Sequence, residues 1–127
     1  MGTGTSIGRV RGLGSAHTGS HHWWHHKITA GSNILLMSWL MISLARRQSF
    51  DYGAMREWLS SAWVAVPMLL LVLSVFYHFR IGLQVVIEDY QREERRVIAM
   101  VLLNLFVAVI GGIAVFAILK IAFGAAN

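Results

Sequence analysis

Apolar residues in this chain run in long unbroken blocks instead of alternating with polar ones at the period of a half-buried strand or surface helix. Three blocks stand out, at about residues 28–45, 62–87 and 97–119. The shortest, of eighteen residues, rises about 27 Å as a helix, close to the ~30 Å hydrocarbon core of a bilayer. The pattern predicts an all-α integral membrane protein with three transmembrane helices. Residues 1–27 read as a polar N-terminal tail and interfacial segment, and 28–127 as a three-helix anchor domain. Residues 46–61 are expected to form a polar connection, and 88–96 a short charged loop at the interface. Pro67 falls in the first turns of the second helix, where a missing donor does least damage. Gly111 and Gly112 would let a neighbouring helix approach the third one closely.

Composition narrows the class further. At 127 residues, 56% of them apolar and 13% charged, the chain holds one domain at most and is too oily to be a soluble one. It has no cysteine, so it holds no disulfide, thiolate zinc site or iron–sulfur cluster of its own. A redox centre here must use histidine or methionine, or be organic. The net charge of +5 comes from Lys and Arg residues at the ends of apolar runs, which orients helices in a bilayer and does not track nucleic-acid phosphates. Arg9, Arg11, Lys27, Arg92, Arg95 and Arg96 would share one side, against Arg46, Arg47, Arg56 and Lys120 on the other. The positive-inside rule then puts the N-terminus and the 88–96 loop in the cytoplasm. Residues 1–20 are rich in Gly, Ser and Thr, and neither a signal peptide nor a transit segment is expected there.

Candidate chemistry lies in two places. The run His21-His22-Trp23-Trp24-His25-His26-Lys27 sits just before the first block. Its tryptophans and lysine read as interface anchors. His21 with His25, and His22 with His26, are i,i+4 pairs that could ligate a metal. They support an alternative reading as a small His-rich metal-binding or metal-transport membrane protein. A purely structural assembly subunit is a third possibility.

The second place is the segment at 74–90. His78 and Arg80 stand inside hydrocarbon, where ionisable groups are costly enough to be functional candidates. In a helix His78, Gly82, Val85 and Asp89 share one face, because residues eleven apart nearly eclipse. His78 lies about 17 Å from Asp89 by helical rise, near the bilayer middle. A histidine at that depth can make a cross-helix hydrogen bond, pass protons, or ligate haem iron. Gly82, one turn on, either leaves room for a flat macrocycle or makes a packing notch; Ser74, one turn before, is also small. His78 is the one histidine within a span, so a second axial ligand would come from another polypeptide. Asp89 and Tyr90 can hand on protons and hydrogen-bond a quinone carbonyl, or simply belong to the water and the aromatic belt. Arg80 points about 200° away from the His78 face. Unable to sit in lipid unpaired, it would snorkel, pair with an acidic group of a partner subunit, or meet a cofactor carboxylate.

His78-x-x-Ile81-Gly82-x-Gln84-Val85-x-x-x-Asp89-Tyr90 resembles the signature of the small membrane-anchor subunit, the D subunit, of succinate dehydrogenase (complex II). The three-span plan and the polar lead-in are similar over essentially the whole chain, and the specific motif is confined to residues 78–90. The resemblance implies that His78 is an axial ligand of haem b, the other axial histidine coming from the larger cytochrome b anchor subunit. It implies that Tyr90 hydrogen-bonds ubiquinone and that Asp89 assists the proton route. Lys27 is similar in place to an arginine near the haem propionates in some members, keeping the charge but losing the bidentate fork. Implied partners are the flavoprotein and iron–sulfur subunits, quinone and the lipid bilayer, with no nucleic acid. The stretch from Arg9 to His17 is similar to alpha-proteobacterial members, which implies a multi-pass protein of the bacterial inner membrane.

Overall fold

The structure, a computed structural model, describes residues 19–124; the stretch from Arg9 to His17 lies outside the described residues. Among the described residues there are four helices: α1 (Gly19–Ala45), α2 (Tyr52–Ser60), α3 (Ala62–Tyr90) and α4 (Glu93–Gly124). α1, α3 and α4 are long and apolar enough to cross a membrane, as the three apolar blocks predict. With 27, 29 and 32 residues they rise about 40, 43 and 48 Å, so each runs past the hydrocarbon into the interface.

Three elements differ from the sequence expectation: the start of α1, the connection at 46–61, and the loop expected at 88–96, of which only Gln91 and Arg92 lie outside helices. α1 begins at Gly19, so the His-Trp run belongs to the helix and does not merely precede it. The part apolar enough to cross starts at Trp23, ahead of the expected boundary at residue 28. Hydropathy ends a span at the last polar residue, but backbone groups near lipid must be satisfied within the segment, so the helix continues through the amphipathic run.

The connection at 46–61 is also largely helical. Asp51 caps α2, its Oδ1 accepting from the Ala54 amide at 2.9 Å. Met55, Trp58 and Leu59 are half-buried while Arg56 and Glu57 are exposed, an amphipathic arrangement suited to the interface. Arg56 Nη2 donates to the Gly124 carbonyl at 3.2 Å, answering one of the carbonyls left over at the end of α4. Ser61 closes α2 and opens α3, its carbonyl accepting from the Val64 and Ala65 amides at 2.9 and 2.8 Å. Between α3 and α4 only Gln91 and Arg92 intervene. The reversal is completed by Glu93 at φ 49°, a left-handed conformation that costs a non-glycine residue about 1–2 kcal/mol.

α3 is the hub. α1 and α4 each pack along it, their backbones not approaching each other among the described residues, and α2 lies against α3 and α4. The buried side chains are Val64, Ala65, Leu71 and Ile81 of α3 with Leu103 and Ile118 of α4. A Cβ on Gly111 would stand 3.5 Å from the Phe76 ring, whereas Gly112 faces open space; the close approach expected at this pair rests on Gly111. The outward faces of all three long helices are apolar, as lipid or neighbouring membrane helices require.

Candidate functional site

Antiparallel packing of α1 on α3 brings the His-Trp run level with His78. Thr29 Oγ1 lies 2.9 Å from His78 Nδ1. The same oxygen is 2.8 Å from the His25 carbonyl and 3.2 Å from that of His26, a backward bond into its own helix. His26 tilts over His78, with ring centres 4.5 Å apart and planes at 50°. The Tyr77 hydroxyl reaches His25 Nδ1 at 3.4 Å. A Cβ on Gly82 would meet His26 Nε2 at 3.9 Å, so within this chain the small surface beside His78 is covered by an imidazole.

His26 and His78 are not a trans pair on one metal in this arrangement. Metal–nitrogen bonds of about 2 Å on opposite sides would hold the ring centres roughly 6 Å apart, farther than observed. As a donor set for a single axial bond the site fits. His78 is half-buried, one ring nitrogen is engaged by a hydroxyl, and Nε2 has no hydrogen-bond partner among the described residues. Asn33 Oδ1 and Ser74 Oγ, one helical turn from Thr29 and His78, are buried and unpaired. Buried polar atoms of this kind call for a partner, water or a group from outside the chain.

Asp89 and Tyr90 stand apart from this cluster, in the last turn of α3 and about 18 Å beyond His78 by helical rise. Tyr90 is 81% exposed and lines a polar hollow of about 370 Å³ with Gln91, Arg92, Glu93, Glu94 and Arg95. Asp89 is exposed as well but does not line that hollow. Gln84 donates to Glu88 at 2.8 Å along the same helix. Lys27 is exposed, with its ammonium 5.7 Å from the centre of the Trp23 ring.

Arg80 finds its partner within the chain. Its Nε donates to Asn104 Oδ1 on α4 at 2.7 Å, an answer that was not among those the sequence suggested. Asn104 is the one polar side chain between Val97 and Leu119, and that solitude was the available signal. Thr29 and His26 were also missed as neighbours of His78, because they meet it only through the register of two helices. Of the expected i,i+4 imidazole pairs, His21 and His25 stack with ring centres 5.9 Å apart, and the side chain of His22 lies outside the described residues. No group of three potential metal-ligating side chains forms among the described residues.

Comparison with known proteins gives one consistent result. The profile of the succinate dehydrogenase/fumarate reductase transmembrane subunit family matches residues 1–112. The succinate dehydrogenase hydrophobic membrane anchor subunit of Rickettsia bellii (strain RML369-C) is 36% identical over 84 residues, covering 66% of this chain and 67% of its own. Its counterpart in Rickettsia conorii (strain ATCC VR-613 / Malish 7) is 33% identical over 85 residues, 66% of this chain and 68% of its own. That of Paracoccus denitrificans is 28% identical over 116 residues, 91% of this chain and 90% of its own. No solved structure matches significantly.

Proposed function

We propose, for a chain that belongs to the succinate dehydrogenase/fumarate reductase transmembrane subunit family, a role as the membrane anchor that supplies half of a haem b site and part of a ubiquinone site. One observation carries the reading: His78 lies half-buried in mid-helix with Thr29 on its Nδ1, while Tyr90 opens onto a polar hollow at the end of the same helix. His78 would hold the iron through Nε2, and a histidine of the larger cytochrome b anchor subunit would hold it from the other side. Haem held there supplies one-electron chemistry within the bilayer.

At the other end of α3 the Tyr90 hydroxyl donates a hydrogen bond to a quinone carbonyl, and Asp89 passes on protons. Reduction of the quinone to quinol consumes two electrons, delivered from the flavoprotein through the iron–sulfur subunit, and two protons from the adjoining water. Those soluble subunits dock on the Tyr90 side, which the positive-inside count makes the cytoplasmic face of a bacterial inner membrane. Lys27, exposed on α1, is a candidate for a haem propionate.

Purified complex carrying His78→Ala is expected to lose the reduced b-type bands and its haem; unchanged haem content and spectrum would refute the ligand assignment. Tyr90→Phe should depress quinone reduction while succinate oxidation by an artificial dye continues. Equal loss of both activities would count against a quinone role.

A further inference from the structure

We infer that Thr29 is the positioning residue of His78: its hydroxyl accepts the Nδ1 proton, fixes the tautomer, and so reserves Nε2 for iron. The inference rests on the reading of His78 as an axial ligand and adds to it the group that orients and tunes that ligand. A threonine hydroxyl has one hydrogen to give. Two of its possible acceptors are carbonyls of its own helix, His25 at 2.8 Å and His26 at 3.2 Å, and the third is His78 Nδ1 at 2.9 Å. Donation to the His25 carbonyl leaves the oxygen lone pairs facing Nδ1, so that nitrogen carries the proton. The opposite assignment would move the proton to Nε2, leaving that nitrogen without a lone pair for a metal and without any acceptor among the described residues.

The result is a directed chain from His78 Nδ1–H through the Thr29 hydroxyl to the His25 carbonyl. Linked hydrogen bonds in a low-dielectric surround polarise one another. An imidazole whose far N–H is bonded is held in orientation and made a stronger donor to the metal. A stronger donor favours ferric over ferrous iron, so Thr29 holds the haem potential down. It does so from α1, whereas the ligand stands on α3, and the potential therefore depends on how these two helices dock.

The test is made in the membrane complex purified with its partner subunits. Thr29→Val removes the hydroxyl at nearly constant shape, and Thr29→Ser keeps it. The valine variant is expected to retain haem yet to shift the ferric/ferrous balance roughly tenfold towards ferrous, an upward move of about 59 mV for a one-electron couple. Its ferric low-spin EPR g-values should move as well, and the serine variant should restore both. Wild-type potential and g-values in the valine variant would overturn the inference. If that variant fails to assemble, Thr29→Ala, which also lacks the hydroxyl, takes its place: a raised potential and shifted g-values are expected, and wild-type values would overturn the inference. His78→Ala, measured alongside, separates the two claims: haem retained there defeats the ligand reading itself, whatever Thr29 does.

Discussion

An arginine inside a membrane helix must have its donors answered, and on α3 the first answer is Asn104 at 2.7 Å. Asn104→Leu should therefore destabilise the α3–α4 pairing even though it makes α4 more apolar. Hydrogen bonds to charged groups are worth about 1.5–3 kcal/mol in soluble proteins, and polar contacts between membrane helices average about 0.6 and reach about 1.7 kcal/mol. A loss of about 1–2 kcal/mol in reversible unfolding from detergent micelles is expected, and Arg80→Leu in the same background should recover part of it; a neutral single substitution would show that Arg80 is answered elsewhere. The contrast with the rest of the site explains what was legible at this scale. His78, Arg80, Asp89 and Tyr90 each interrupt or end an apolar run, so the sequence marks them. Thr29 marks nothing, because a threonine in a helix is ordinary. Its meaning comes from a partner 49 positions away, brought close by helix register that hydropathy does not encode.

At the level of elements, the long helices were legible because the bilayer sets their length, and α2 was missed because nothing comparable sets its own. The cue was local: Asp51 ahead of a short amphipathic stretch, with the Ala54 amide and the Ser49 hydroxyl both donating to its carboxylate. The Ala54 amide, then Ser49, hold the Asp51 carboxyl below the usual carboxylate range. A depressed folded-state value means that the cap's contribution is full above the ordinary range and is lost as pH falls through the folded one. Amide-exchange protection factors in α2 should accordingly fall in acid while those of α3 do not, and Asp51→Ala should bring the same loss of protection to neutral pH, with Asp51→Asn largely protected. Protection of α2 that ignores both pH and Asp51 would rule the cap out. A second element-scale prediction concerns Gly111. Ordinary contact with Phe76 begins at Cβ, so Gly111→Ala should be tolerated, whereas Gly111→Leu must push α3 and α4 apart. Overpacking of that kind costs about 1–3 kcal/mol, read as a lowered melting temperature in detergent.

The molecule has little interior of its own: among the described residues six side chains are buried, and none of these is on α1. Its apolar exterior is what remains for lipid and, on the proposed reading, for the larger anchor subunit. On the proposed reading the chain expressed alone should hold far less than one haem per polypeptide by the pyridine haemochrome assay, and co-expression with the larger anchor subunit should raise the ratio; stoichiometric haem in the chain alone would mean that the second ligand is not the partner's. The hub arrangement also bears on how the protein is made. Among the described residues α1 packs only on α3, yet it leaves the ribosome ahead of it. Everything from Ala45 to Tyr90 must still be synthesised, which takes several seconds at ~5–20 residues per second. For that interval α1 is without its α3 partner. The bond from Thr29 back to the His25 carbonyl lets its hydroxyl wait in lipid without a partner, and the arrival of His78 then adds a second bond to an oxygen already satisfied. α4 faces no such delay, because α3 is finished before α4 begins.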